Sequence, residues 1–483
     1  MKSGPVILWF RSDLRLEDNP ALQAAVESRA PILPVFIWAP KEEGSWTPGG
    51  ASRWWLHQSL RELSFSLEKK GAKLCLRRGK SREVLADLAR ETGARTVYWN
   101  RRYEPEIIRR DAAIKEGLRA EKIQAESFNS HLLFEPWELK TQAGEPYKVF
   151  TPFWKSCLSR PEPVAPKAAP AKLEGFSGGV PSLNLNDLEL EPKIDWAKGM
   201  REAWRPGETG AQRELARFLE DAVPAYLEDR DKPACSGTSR LSPHLHFGEI
   251  GPRQIWHIVK QAAAHDRRSG GQRGAEGFLR EVGWREFAYH LIYHFPHTIE
   301  RPLRAEFERF PWKQDGQALK AWQKGLTGYP LVDAGMRELW TTGWMHNRVR
   351  MIVASFLVKD LLIPWQEGAK WFWDTLVDAD LASNTLGWQW TAGCGADAAP
   401  YFRIFNPVSQ GEKFDPGADY VRRWIPELAK LSDEWIHRPW EAPVESLKKA
   451  GVSLGKDYPA PLVDHAQARD LALRALDTIK KKA

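Results

Sequence analysis

Five short apolar runs punctuate the first third of the chain: VILWF at 6–10, ILPVFIW at 32–38, KLCLRRG at 73–79, TVYWN at 96–100 and IQAESF at 123–128. Their length and their β-branched and aromatic content predict buried strands. Between them, residues 20–28, 52–70, 81–92 and 104–120 place apolar positions at helical spacing, with Gly71 and Gly93 where C-terminal caps would fall. Strands alternating with helices predict right-handed crossovers and a doubly wound parallel sheet, with any ligand at the carboxyl ends of the strands. Neither GxGxxG nor a P-loop motif follows any of these strands, so no dinucleotide or nucleoside-triphosphate fingerprint is present.

The pattern changes after Arg160. Prolines at 161, 163, 166, 170, 181 and 192, with few large apolar residues before Leu183, predict a linker wrapping the surface. Beyond about Gly210 the apolar spacing is helical, notably at 211–227, 251–264, 277–295, 330–362 and 368–376. The expected organisation is an α/β domain over 1–135, a linker over 136–209 and an all-α domain over 210–483, less regular after about Gly417.

Composition adds less. The 483 residues are 42% hydrophobic and 28% charged, with a net charge of +7 that is compatible with a polyanionic partner. No apolar run is long enough to span a bilayer and MKSGPVILWF is no signal peptide, so a cytoplasmic protein is expected. Cys75, Cys157, Cys235 and Cys394 lie far apart without a CxxC pair, against a disulfide framework or a thiolate metal site. Tryptophan is the outlier: 24 Trp against 10 Tyr. Indoles serve as core filler, as stacking platforms or as electron relays, and composition does not choose among them.

Several constellations carry potential chemistry. GTSRLSPHLHFGEI at 237–250 offers hydroxyls and an arginine before a proline, suiting a phosphate or an ordinary helix cap. HNRVRM at 346–351 sets Asn347, Arg350 and Met351 on one helical face, a mixture that core packing would not select. A buried Arg350 requires a carboxylate, and Asp378 or Asp380 of TLVDADLASNTLGWQW is the natural partner. LREVGWREF at 279–287 puts Glu281, Trp284 and Arg285 on one face; a planar, hydrogen-bonding ligand suits that wall, and so does plain solvation. His290 and His294 stand at metal-ligand spacing, but no HExxH follows and Pro296 ends the helix, so no metal is expected. HDRRSGGQRG at 265–274 is a basic loop able to touch backbone phosphates.

Taken together, these segments resemble the DNA photolyase and cryptochrome family over nearly the whole chain. WFRSDLRLEDNP, GTSRLSP, WREF, TGYPLVDAGMREL, TGWMHNRVRM, DADLASN, WQW and GADAAPYFRIFNPVSQGEKFDP occur in order. ASRWWLHQSL is similar to bacterial cyclobutane pyrimidine dimer photolyases of the third class, relatives of plant cryptochromes. The resemblance implies an amino-terminal antenna domain and a helical domain holding FAD. It places Tyr226, Thr238, Ser239, Arg240, Leu241 and Ser242 at the ribityl and phosphates, Asp378 and Asp380 beside the flavin, Arg350 on Asp378, and Asn384 at the reactive ring nitrogen. Phe278 stands where some relatives have tryptophan at the flavin. Arg230, Glu281, Trp284, Arg285, Asn347, Arg348, Met351, Trp390 and Gln410 match positions contacting a flipped-out dimer or its flanking DNA. Trp388, Trp365 and Trp312 match an electron relay from solvent to flavin.

The activity implied is light-driven splitting of cyclobutane pyrimidine dimers in UV-damaged DNA by a monomer without metal, with Glu281 and Asn347 stabilising the lesion's radical anion and Met351 and Asn384 completing the catalytic set. Six-four photolyases carry histidines where Asn347 and Met351 stand. Plant cryptochromes, the photoreceptor alternative, tend to have aspartate at Asn384 and long tails. The favoured antenna is methenyltetrahydrofolate at Glu43, with a deazaflavin or none as alternatives; YEPEIIRRD at 103–111 lacks the Asn–Glu pair of the folate-binding first class.

Overall fold

In the computed structural model the described residues are 4–266, 268–398 and 402–480. Arg267 of the basic loop, residues 399–401 of the GADAAPYFRIF run and the last three residues of KKKA lie outside them, as do the first three of the chain. The strands form where the apolar runs predict: β1 (Val6–Phe10), β2 (Ile32–Trp38), β3 (Cys75–Arg78), β4 (Thr96–Asn100) and β5 (Gln124–Phe128). They make one parallel sheet in the order β3-β2-β1-β4-β5, with Val6 opposite Ile32 on one side and Thr96 on the other. Helices α1 (Pro20–Glu27), α2 (Gly50–Lys70), α3 (Ser81–Thr92) and α4 (Pro105–Ala120) are the crossovers. All five residues of β1 are buried, as in a sheet covered on both faces. The cluster of Ile7, Trp9, Val35, Leu85, Val97, Trp99 and Ile114 forms the core there.

Local chemistry fixes the ends of these elements. Asn19 caps α1 by accepting from Leu22 N at 3.1 Å, and Pro20 occupies the first helical position, where its missing N–H costs nothing. Gly71 and Gly93 terminate α2 and α3 at φ +99° and +70°, a conformation cheap for glycine alone. Strand order reverses between β1 and β4, the position where doubly wound folds open a crevice. Polar pairs occupy it here. Asn100 donates to Asp13 and Asn19 at 2.6 and 2.7 Å, and Arg11 pairs with Asp111 at 2.7 Å.

The proline-rich linker is docked more closely than its composition suggests. Ile32 N donates to Glu174 O and Leu183 N to Leu76 O, at 2.7 and 2.9 Å. Leu173, Leu188 and Leu190 are buried, so three leucines anchor a segment that reads as surface.

The chain divides into two compact units: Met1–Pro224 with Ser239–Pro296 and Val377–Leu381, and Ala225–Thr238 with His297–Leu376 and Ala382–Ala483. The first unit includes the long helix Gly271–His294. In it Glu286 accepts from Leu133 N and Phe134 N at 2.9 and 3.3 Å, and burial pushes its carboxyl up to about 8. The acid is therefore protonated when folded and ionised when unfolded between pH 4.5 and about 8, and stability is lost as pH rises through that window. Glu286→Gln keeps the acceptor without the proton. Its melting temperature relative to the parent should rise between pH 5 and pH 9, and a constant difference would refute this origin of the pH dependence.

The second unit is helical. The pattern at 330–362 reads as one helix but breaks at Gly343, φ +68°, into Pro330–Thr342 and Asn347–Ser355, followed by a π-helical turn over Phe356–Asp360. His346 starts the second piece by accepting from Arg348 N at 3.2 Å. Asp333, fully buried, accepts from Thr327 N and Oγ1 (both 2.7 Å), Gly328 N (3.0 Å) and Tyr458 Oη (2.6 Å). The tail is more regular than expected. It ends in the 16-residue helix His465–Lys480, whose Ala468, Ala472, Ala475, Leu476 and Ile479 bury one stripe.

Candidate functional site

In the first unit the helix Gly271–His294 presents Phe278, Glu281, Trp284 and Arg285. Gly283 lets the backbone pass close to Trp154, since a Cβ there would lie 2.4 Å from that ring. Trp284 stacks on Phe150, with ring centroids 3.7 Å apart and planes at 8°. Glu281 is part-buried, and Phe278 is buried against Phe218. The resemblance puts Arg285 at DNA; here it donates to His131 O and stands 2.7 Å from His131 Nε2, with its guanidinium over Tyr289.

Asp378 and Asp380 are both buried. The Asp380 carboxylate accepts from Tyr289 Oη and lies 3.7 Å from His246 Nδ1. Burial alone would raise it, but His246, the Arg285 charge and the Tyr289 hydroxyl outweigh that and hold it well below the usual carboxylate range. Ser239, Arg240 and Leu241 lie in irregular backbone that leads into the helix at Ser242. Arg240 adopts φ +53°, costly for a residue with a Cβ, Leu241 N donates to Ser239 Oγ at 3.3 Å, and the Arg240 guanidinium rests 4.1 Å from the Trp204 ring. The helix after them, Ser242–His246, spans only five residues.

In the second unit Asn347, exposed, opens the helix Asn347–Ser355, with Arg350 and Met351 part-buried on its next turn. Arg350 Nε donates to Met345 O at 2.7 Å. Arg348 pairs with Asp231 at 2.8 Å and lies over Phe414. Burial lowers the His346 imidazole to about 4. Tyr226 is buried under the Arg230 guanidinium, and Thr238 is part-buried. Helix Leu381–Ala392 carries Asn384, Trp388 and Trp390. Asn384 Nδ2 donates to Ala369 O at 3.1 Å, which orients the amide. Trp390 has Arg403 over its ring, and Gln410 lies on helix Pro407–Phe414, capped by Asn406.

Trp388 and Trp365 are each 2% exposed, whereas Trp312 is part-exposed beside Phe310. Trp388 packs against helix Trp365–Thr375 at Gly368, where an added Cβ would fall 2.0 Å from Trp388 Cη2. Phe372 lies 5.0 Å from the Trp388 ring.

Glu43 accepts from Arg102 through both oxygens, at 2.9 and 3.2 Å, while Glu104 takes a further Arg102 N–H at 2.8 Å. Burial would raise the Glu43 carboxyl, yet Arg102 brings it below its ordinary range. Among the described residues no group of three or more His, Cys, Asp or Glu could hold a metal, and no helix is long and apolar enough to cross a membrane.

Two family profiles match the chain. The DNA photolyase profile matches residues 6–171, and that of the FAD binding domain of DNA photolyase matches 278–478. A deoxyribodipyrimidine photo-lyase of Agrobacterium fabrum is 52% identical over 482 residues, spanning 100% of this chain and 99% of that protein. The chain belongs to the DNA photolyase/cryptochrome family. A crystal structure of a bacterial class III photolyase from Agrobacterium tumefaciens superimposes with a TM-score of 0.96 at 52% identity, covering 100% of this chain and 98% of the other. Cryptochrome-1 of Arabidopsis thaliana is 45% identical over 477 residues, covering 96% of this chain and 69% of that protein.

Spacing alone misses Tyr289, His131 and His246 of the Asp380 network. Tyr289 had a signal, four residues beyond Arg285 on one helix. His131 lies in a loop after β5 and had none.

Proposed function

We propose that this photolyase-family chain repairs cyclobutane pyrimidine dimers in UV-damaged DNA, using light and FAD, as a cytoplasmic monomer. Residues 1–135 carry the antenna, 136–209 link, and 210–483 bind flavin and lesion. The observation that carries repair over signalling is Asn384: it presents a neutral amide, held by Ala369 O, where plant cryptochromes tend to have a proton-donating aspartate.

The residues present fit a flavin nucleotide. Hydroxyls and a guanidinium at Ser239–Ser242 and Thr238 suit its phosphates and ribityl chain, with Leu241 lining them. The ionised Asp380 suits a ring N–H, with Asp378, Arg350, Phe278 and Tyr226 completing the flavin-binding set. Trp388 Nε1 and His346 Nε2 are buried donors without a protein acceptor among the described residues, as expected beside a polar ligand. FAD, when bound, supplies the light-absorbing electron donor. Trp388, Trp365 and Trp312 relay electrons inward.

On the DNA side, Glu281 and Asn347 hydrogen-bond the lesion's carbonyls where negative charge develops. Trp284, backed by Phe150, and Met351 supply contact surface to the extruded bases, and Trp390 stacks beside them. Arg230, Arg285, Arg348 and Gln410 complete the contact set, Arg348 by exchanging Asp231 for phosphate. Affinity then falls as salt rises. Methenyltetrahydrofolate at Glu43 is the favoured antenna, its amino group competing with Arg102 for the carboxylate.

Illumination with a dimer-containing oligonucleotide under reducing conditions tests the proposal. Loss of dimers only in the light is expected; unchanged dimers with reduced flavin bound would favour the photoreceptor reading.

A further inference from the structure

Asp380 ends a chain of polar groups within the first unit. Tyr289 Oη donates to Asp380 Oδ2 and also lies 2.8 Å from His131 Nε2. Arg285 Nη2 stands 2.7 Å from that same Nε2, and Nη1 2.7 Å from His131 O. A guanidinium only donates, so Nε2 must be the bare nitrogen of a neutral imidazole with its proton on Nδ1. The hydroxyl of Tyr289 then has one proton and two acceptors within reach, Asp380 Oδ2 and the single Nε2 lone pair that it shares with Arg285 Nη2.

We infer that Tyr289 and His131 are positioning residues that set how much negative charge the Asp380 carboxylate presents to its ligand, His131 competing with Asp380 for the Tyr289 proton. The inference rests on the reading that Asp380 borders the flavin. The charged and titratable groups facing the trio include Arg285, His246, Arg102, Glu104 and Tyr103. Burial and the Arg285 charge keep His131 neutral, and burial with the Asp380 charge keeps the Tyr289 hydroxyl protonated, so the contest is between two acceptors for a fixed proton.

The two residues should therefore have opposite effects. Tyr289→Phe removes the donor and leaves Asp380 with more localised charge, which disfavours adding an electron to a neighbouring flavin. His131→Leu removes the competitor and commits the phenol to Asp380, with the reverse effect. Two readouts follow: the reduction potential of bound FAD, and, in FAD-free protein, the infrared carboxylate stretch assigned to Asp380 by its loss in Asp380→Asn. The potential is expected to fall in Tyr289→Phe and rise in His131→Leu, with carboxylate bands displaced in opposite senses. Shifts of the same sign, or an unmoved band in whichever variant folds, would overturn the inference. Opposed band shifts with unchanged potentials would support the proton competition and instead refute the placement of Asp380 beside the flavin.

Discussion

Trp388→Phe, loaded with oxidised FAD and illuminated with an external reductant, will leave its flavin oxidised while the parent bleaches. Phenylalanine keeps most of the packing against Phe372 but is far harder to oxidise, and electron tunnelling falls steeply with distance, so bypassing one buried station stops the flow. The exposure gradient supports this direction of travel: Trp388 and Trp365 are shut away from water, and Trp312 is partly open to it. A second arm isolates the relay from the repair reaction. The same variant, reduced chemically in the dark, should still split dimers under light. Photoreduction at the parental rate would remove Trp388 from the route.

The second large effect concerns stability. Asp333→Ala strips the acceptor from four donors at once, two of them amides of Thr327 and Gly328 in the loop leading into helix Pro330–Thr342 and one the Tyr458 hydroxyl from the tail. Unmade bonds to buried donors are costly, so a loss of about 3–5 kcal/mol is expected. Tyr458→Phe removes a single partner and should cost about 1 kcal/mol. Denaturant titration of both variants decides the matter, and equal losses would show that the helix start does not depend on the carboxylate.

Much of this was legible from one chain. The five strands sit where short apolar runs put them, because a sheet covered on both faces needs continuous rather than alternating apolar residues. Glycine at 71 and 93 marked helix ends for a reason that holds locally, the left-handed turn. Long-range partners were less accessible. The same left-handed signal at Gly343 was present but hidden inside a strong helical period, and the linker's docking depends on backbone amides of residues such as Leu183, which leave no mark in composition. In the candidate site, residue types were readable while their commitments were not. Nothing in WREF shows that Arg285 turns to His131, 154 positions earlier in the chain.

Gly368 shows how an absent side chain can make room for a neighbouring ring. Its bare α-carbon allows the Trp388 indole to lie against the helix backbone, and even one methyl group would overlap the ring edge, 2.0 Å from Cη2. In the proposed relay, electron transfer through Trp388 would thus depend on steric vacancy as much as on aromatic content.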